Sequence, residues 1–381
     1  MKQPERQIDF TLLFILFCLF LISIVAVYSG SGQYQTDDPF YYMKRQIIWY
    51  IIGVAVMIGV ATFDYELLER LSAPFYLSGV FLLVLVHFFG TFKNGSQRWL
   101  NLGVIELQPS EFMKVFLTIF LAAILNKYGV QRLSFKQSIP ITFKLIMFTI
   151  IPFALILVQP DLGSALVIGA VFFTLLIVSG ISMKMISLFS ASAISLISFL
   201  VYLHNHYFEV FSKIIKPHQL DRIYGWLMAD EFASSYGYQL TQALLGIGSG
   251  QLLGKGIQQG QQVQSGRIPE VHTDFIFSVI GEEFGFIGAS LLIILYFLLM
   301  YRIVKIAQNS NSVYGMYICI GTVGLLSFQI FQNIAMTIGL MPITGLALPF
   351  VSYGGSALLT NMMALGLVLS VNIRTKKYMF D

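Results

Sequence analysis

Residues 275–303 read FIFSVIGEEFGFIGASLLIILYFLLMYRI, and the eight residues before them, 267–274, read RIPEVHTD. The apolar run exceeds the roughly 20 residues that a helix needs to cross a bilayer. It is entered through a cluster of Arg267, Glu270, His272 and Asp274, followed by Glu282 and Glu283. Ionisable groups at a membrane boundary are costly to retain, which makes this cluster a functional candidate, with Asp274 foremost. The whole chain repeats the pattern. Over its 381 residues 56% are hydrophobic and only 11% charged, too apolar for a soluble domain.

Ten such runs can be marked, at about 10–28, 46–63, 73–90, 110–127, 138–158, 163–180, 185–205, 275–303, 315–340 and 355–373. Period-two alternation is absent, which argues against a transmembrane barrel. The expected fold is an all-α integral membrane protein of ten transmembrane helices. One long loop, about 206–274, joins helices 7 and 8, and residues 1–381 form a single membrane domain. The first run is longer than a signal-peptide core and reads as a retained span. Within the long loop, 206–235 suits an interfacial helix. The stretch from 236 suggests a short re-entrant helix ending in glycines, and 259–267 reads as a mobile Gly/Gln connector.

Orientation follows from the short-loop cations. Lys2, Arg6, Arg70, Lys127, Arg132, Lys136, Lys184, Arg302, Lys305, Arg374, Lys376 and Lys377 fall on one side, against Lys44, Arg45, Lys93 and Arg98 on the other. Both termini are therefore expected in the cytoplasm, with the long loop and the 91–110 loop outside. The net charge of +4 is dispersed, which excludes a nucleic-acid-binding face. Cys18 and Cys319 sit inside apolar runs and build neither a disulfide framework nor a metal site.

Sorted by side, the unusual polar residues gather at the outer end. Gln97, Arg98 and Trp99 lie in one outward loop; Gln108, Ser110, Glu111 and Lys114 open the fourth span; Gln159 and Asp161 form the next turn. Arg222 and Asp274 belong to the long loop, and Ser352, Tyr353 and Ser356 to the last. Glu111 and Lys114, spaced i, i+3, share a helix face. They either satisfy each other between helices or present Lys114 to an anionic substrate. Residues 349–356 (PFVSYGGS) have the glycines of an anion-cradling turn but not the lysine of a P-loop, and Ser356 alternatively caps the last helix. Glu282 and Glu283 require partners that the local sequence does not identify.

Six short motifs in order resemble one family. They are Ser96-Gln97-Arg98-Trp99-Leu100, Gln108-Pro109-Ser110-Glu111 with Lys114, Gln159-Pro160-Asp161-Leu162-Gly163-Ser164, Asp221-Arg222, His272-Thr273-Asp274-Phe275 and Val351-Ser352-Tyr353-Gly354-Gly355-Ser356. Together they resemble the SEDS family (shape, elongation, division and sporulation), over about residues 10 to 375. The resemblance implies a bacterial peptidoglycan glycosyltransferase of ten transmembrane helices. Such an enzyme polymerises lipid II outside the cytoplasmic membrane, beside a class B penicillin-binding protein and other elongation-complex membrane proteins. It also implies that Asp274 is the key carboxylate, Trp99 the essential tryptophan, and Glu111 with Lys114 the buried pair. The short tails resemble the RodA branch, which acts in elongation, more than the FtsW branch; a division or sporulation paralogue is the alternative.

Transfer of a sugar from a diphosphate needs a base for the acceptor hydroxyl and charge stabilisation for the leaving group. Asp274 is the expected base, or the group that orients the hydroxyl. Lys114, Arg222 and Arg98 would offset the diphosphate charge, with a loosely bound Mg²⁺ or Mn²⁺ and no organic cofactor. Trp99 would stack on a sugar, while Glu111, Asp161, Ser352 and Ser356 complete the candidate substrate-binding set. An α-linked donor giving a β-linked polymer calls for inversion, which one essential carboxylate can support. Two other classes fit the composition. A lipid II flippase would use the intramembrane charges for transport, but needs an inner binding site that the inner loops do not supply. A non-catalytic scaffold would tolerate Asp274→Ala.

Overall fold

The structure is a computed structural model and describes residues 9–34, 38–93, 96–101, 103, 106–214, 217–229, 231–232, 234–235 and 237–375. Of the cations that set the orientation, Lys2, Arg6, Lys376 and Lys377 lie outside these, as does the side chain of Lys93.

Seven helices precede the long connection: α1 (Phe10–Gly30), α2 (Tyr41–Thr62), α3 (Tyr65–Phe89), α4 (Pro109–Asn126), α5 (Phe135–Val158), α6 (Leu162–Val178) and α7 (Met183–His206). Within the connection lie α8 (Phe208–Ile214), α9 (Pro217–Leu227), α10 (Tyr238–Gly250) and α11 (Gln261–Gln264). Three long helices follow, α12 (Ile276–Asn309), α13 (Val313–Thr337) and α14 (Gly355–Arg374). Among the described residues nine helices are long and apolar enough to cross a membrane. The 17-residue α6 is apolar and at the short end of the spanning range, which completes ten spans. This is a multi-pass membrane protein, and the helix bounds follow the apolar runs to within a few residues, apart from earlier starts for α2 and α3 and a later end for α12.

Helix starts are set by side chains that satisfy the free backbone N–H groups of the first turn. Asp9 accepts from Leu12 N at 3.0 Å, Asp64 from Glu66 N at 2.9 Å, and Ser134 with Gln137 forms a capping box. α4 is the most enclosed span, packed by α3, α6, α13 and α14, whereas α7 is almost wholly exposed. A contiguous apolar cluster runs from α1 to α14.

Three features depart from a plain bundle. The 91–107 loop contains a small antiparallel sheet, β1 (Thr91–Lys93), β2 (Ser96–Asn101) and β3 (Glu106–Leu107), ordered β1-β2-β3. Such short strands carry no readable alternation, so the sequence offered only a loop here.

α12 is broken at Gly285, whose φ is +63°. Residues 251–256 run into the gap: Lys255 N donates to Glu282 O and Gly256 N to Glu283 O, both at 3.0 Å, while Phe286 N donates to Gln251 O at 2.8 Å. A Cβ on Gly254 (φ +80°) would stand 2.2 Å from Glu283 O, so only glycine fits this approach. The two glutamates thereby find partners. Glu282 accepts from Lys255 Nζ at 3.3 Å and from the N–H groups of Gln262 and Val263 at 3.0 Å. Glu283 accepts from Ser29 Oγ at 2.5 Å and Gln264 Nε2 at 3.3 Å. The Gly/Gln-rich stretch expected to be a mobile connector is therefore tied to α12, because Glu282 caps its short helix α11.

The third departure is the irregular segment 338–354, which enters the bundle: Leu346, Leu348, Phe350 and Val351 are buried. Non-helical backbone at that depth must have its carbonyls satisfied by protein. Ser23 Oγ donates to Val351 O at 2.8 Å, Gln46 Nε2 to Ser352 O at 3.2 Å, Tyr296 OH to Pro349 O at 2.5 Å, and Tyr50 OH to Phe350 O.

Candidate active site

The N-terminal ends of α4, α6 and α14, the strand β2 and the chain entering α12 meet at one end of the bundle and enclose two adjoining cavities. The larger, about 640 Å³, is bounded by Arg98, Arg222, Tyr238, Glu270, Asp274 and Gly345 among others. The smaller, about 180 Å³, is bounded by Trp99, Glu111, Asp161 and Ser356, and shares Arg98, Glu270, Asp274 and Gly345 with the first. Asp274 therefore stands on the wall common to both.

Its position is set by a turn. Asp274 N donates to Glu270 O at 3.1 Å, and Glu270 itself has φ +51°. On the other side Asn333 Nδ2 donates to Asp274 O at 2.7 Å. Burial pushes the Asp274 carboxyl up to about 6; Glu270 adds to the rise, and the cations Arg98 and Arg222 oppose it. Two residues earlier, burial pushes His272 down to about 4, leaving a neutral ring packed against Tyr34, Tyr42 and Tyr353.

The other candidates divide by contact. Arg98 Nη1 lies 3.5 Å from Asp161 Oδ1, and its side chain lines both cavities. Asp161 is a hub: its oxygens accept from Gln108 Nε2 and Ser110 Oγ at 3.0 Å and from Ser164 N at 3.1 Å, which caps α6. Its acceptors are thus committed to the α4–α6 junction and to Arg98. Lys114 lines neither cavity. It is 1% exposed and donates to Glu111 Oε1 at 2.6 Å, while Glu111 Oε2 accepts from Thr360 Oγ1 at 3.3 Å. The arrangement offers Lys114 no contact with a diphosphate, because Lys114 points one turn deeper into the helix packing.

Ser352 also lies away from both cavities. Its hydroxyl donates to Thr273 O at 2.5 Å and accepts from Leu348 N at 2.8 Å, pinning the buried loop to the residue before Asp274. Ser356 lines the smaller cavity, yet does not cap α14, whose first cap residue is Gly354. It accepts from Gln108 N at 3.2 Å and donates to Glu106 O at 3.0 Å, joining α14 to α4 and β3. In the 349–356 segment the N–H groups of Val351 and Ser352 donate to Leu348 O and that of Tyr353 to His272 O, so these three are committed within the protein, and a Cβ on Gly355 would strike Trp49.

Asn333 and Gly345 escaped the sequence reading. The polar pair Gln332-Asn333 near the end of an apolar run was the available signal, since such residues in a span are conspicuous. Among the described residues no group of three or more His, Cys, Asp or Glu side chains is placed to hold a metal.

A charged, two-part cavity at one end of a ten-span bundle, with a carboxylate of raised pKa on the dividing wall, is the arrangement of a membrane-embedded active site. The family model described as "Cell cycle protein" (FtsW, RodA, SpoVE) matches residues 10–377, and the chain belongs to this family, the SEDS family of the sequence reading. Its relatives include Stage V sporulation protein E of Bacillus subtilis (strain 168), 33% identical over 377 residues, covering 98% of this chain and 99% of that one. Peptidoglycan glycosyltransferase MrdB of Escherichia coli (strain K12) is 33% identical over 370 residues, covering 97% and 95%. A chain in the solved structure described as "Structural coordination of polymerization and crosslinking by a peptidoglycan synthase complex" superposes with a TM-score of 0.76 at 27% identity, covering 97% of this chain and 99% of that one.

Proposed function

We propose that this peptidoglycan glycosyltransferase polymerises lipid II into glycan strands, with Asp274 as the base. The observation that carries the reading is the place of the Asp274 carboxylate between two cavities that share Arg98. A donor and an acceptor could occupy them with the reacting atoms meeting at the carboxylate. A pKa of about 6 leaves the group ionised in roughly tenfold excess at pH 7, close enough to neutrality for an efficient base.

Asp274 takes the proton of the acceptor 4-hydroxyl as that oxygen bonds to C1 of the donor sugar. The bond from C1 to the diphosphate oxygen breaks on the opposite face, which inverts the anomeric centre, and the lipid diphosphate leaves with the electron pair. Arg98 and Arg222 offset its charge, and Trp99 packs on a sugar face. Asp161 holds Arg98. A loosely bound Mg²⁺ or Mn²⁺ would be held mainly by substrate phosphates, with Glu270, which lines both cavities beside the base, as its protein carboxylate. When bound, such an ion would neutralise part of the diphosphate charge.

The distribution of Lys and Arg supports an orientation with both termini in the cytoplasm and the two cavities facing outward. Likeness to a chain of a peptidoglycan synthase complex that couples polymerization to crosslinking supports a class B penicillin-binding protein as partner; other elongation-complex membrane proteins would follow from the elongation role alone. A role in elongation is the finer proposal, supported by likeness to a solved structure described as a rod shape determining protein, RodA, while the matches to FtsW and to Stage V sporulation protein E keep division and sporulation as its competitors. Depleting the protein distinguishes them: rods that round up mean elongation, filaments mean division, and a defect confined to spores means sporulation.

The biochemical test is polymerisation of purified lipid II by the detergent-solubilised chain with its partner. Glycan ladders from the wild type and none from a folded, partner-bound Asp274→Ala are expected. Ladders that persist in that variant would remove Asp274 from the mechanism.

A further inference from the structure

Asn333 lies in the last turns of α13 and is fully buried. Its Nδ2 donates two short bonds, to Asp274 O and to Leu346 O, each 2.7 Å long. Both acceptors are carbonyl oxygens, so only the NH₂ end of the amide can face them. The Oδ1 end has no partner, and the side chain is held by its donor side alone. The two bonds join segments that are far apart in the chain: the turn bearing Asp274 and the buried loop bearing Gly345.

Gly345 lines both cavities, and a Cβ there would stand 3.1 Å from Asp274 Oδ2. That carboxylate and the Gly345 loop thus face each other at close range on the wall that the two cavities share. The adjacent Gln332 Nε2 donates to Pro342 O at 3.0 Å, so the loop is held from α13 on either side of Gly345, at Pro342 and at Leu346.

We infer that Asn333 is a positioning residue for the transfer reaction, a two-pronged clamp that sets the distance between the Asp274 carboxylate and the Gly345 loop. The inference rests on the role of Asp274 proposed above. Asn333 touches neither cavity and acts only through the backbone of the residues that do. A leucine would fill the same space while leaving two buried carbonyls unpaired.

The test uses the full chain with its partner. Asn333→Asp keeps the shape but sets a carboxyl group against two carbonyl oxygens, Asn333→Ala removes the clamp, and Asn333→Gln keeps both donors. The Asp and Ala variants should lose kcat on the order of 100-fold, since a misplacement of about 1 Å has that effect. KM for lipid II should change far less, and Gln should recover part of the loss. An activity loss in proportion to the unfolded fraction, or full kcat in the folded Ala variant, would overturn the clamp.

A second measurement does not depend on catalysis. In a chain carrying Asp274→Cys, Cys18→Ser and Cys319→Ala, the rate of alkylation by iodoacetamide is compared with and without Asn333→Ala, or with Asn333→Asp should Ala not fold. A severalfold change in rate at unchanged Tm is expected, and equal rates would refute the clamp. If Asp274→Ala itself still polymerises, the base assignment fails, and the alkylation comparison still decides whether Asn333 positions this residue.

Discussion

Asp274 couples reactivity to pH. Its carboxyl is raised from 3.8 to about 6, mainly by burial, so the folded protein binds that proton more tightly than the unfolded chain. Folding stability from this group is therefore greatest below about pH 4, falls as pH rises to about 6, and stays reduced above. Asp274→Asn removes the burden: its Tm should exceed that of the wild type at pH 7.5, and the gap should close below pH 4. Catalysis runs the other way. The rate of polymerisation should decline below about pH 6, approaching tenfold per unit, as the base is protonated. Melting curves and ladder assays across pH 4–8 check both signs. Glu270, at the rim of the same cavity, adds to the rise, so Glu270→Gln should move the acid limb of the rate profile to lower pH.

α4 carries a buried ion pair, and its meaning is an element's packing. Lys114 and Glu111 form a 2.6 Å pair inside the most enclosed span, with Thr360 of α14 on the second carboxylate oxygen. Breaking such a pair by removing one partner costs about 3–5 kcal/mol, whereas replacing both with apolar groups is often neutral. Glu111→Leu should therefore lower Tm sharply, and Glu111→Leu combined with Lys114→Met should restore it. A double variant that melts normally and still polymerises marks the pair as architecture. One that melts normally but is inactive places the pair in the reaction, through Glu111 on the smaller cavity. Ser110 and Gln108 at the start of the same helix extend this architecture to Asp161, and through it to Arg98.

The whole bundle converts scattered loop residues into one chamber, and its orientation decides which substrate pool that chamber meets. With Cys18 and Cys319 replaced, Asn101→Cys should react with a membrane-impermeant maleimide on intact spheroplasts, and Lys136→Cys should react only after lysis. The reverse pattern would turn the chamber toward the cytoplasm and revive the flippase reading. Both positions are exposed, so failure to label reflects the membrane and not burial.

What the chain's residues determined unaided was the bundle: a bilayer demands long apolar runs, and run length is a local property that needs no partner to be read. The convergence of Arg98, Trp99, Asp161 and Asp274 on one end followed equally from counting spans. Tertiary structure decided which of the polar residues face the cavities. Lys114 and Ser352 carry the same chemical promise as Arg98 and Ser356, and differ only in what lies opposite them. The break at Gly285 depends on backbone groups some 30 residues away, and the clamp at Asn333 on a carbonyl 59 residues away. Hydrogen bonds across such distances are set by how helices pack, and no local pattern of residues encodes them.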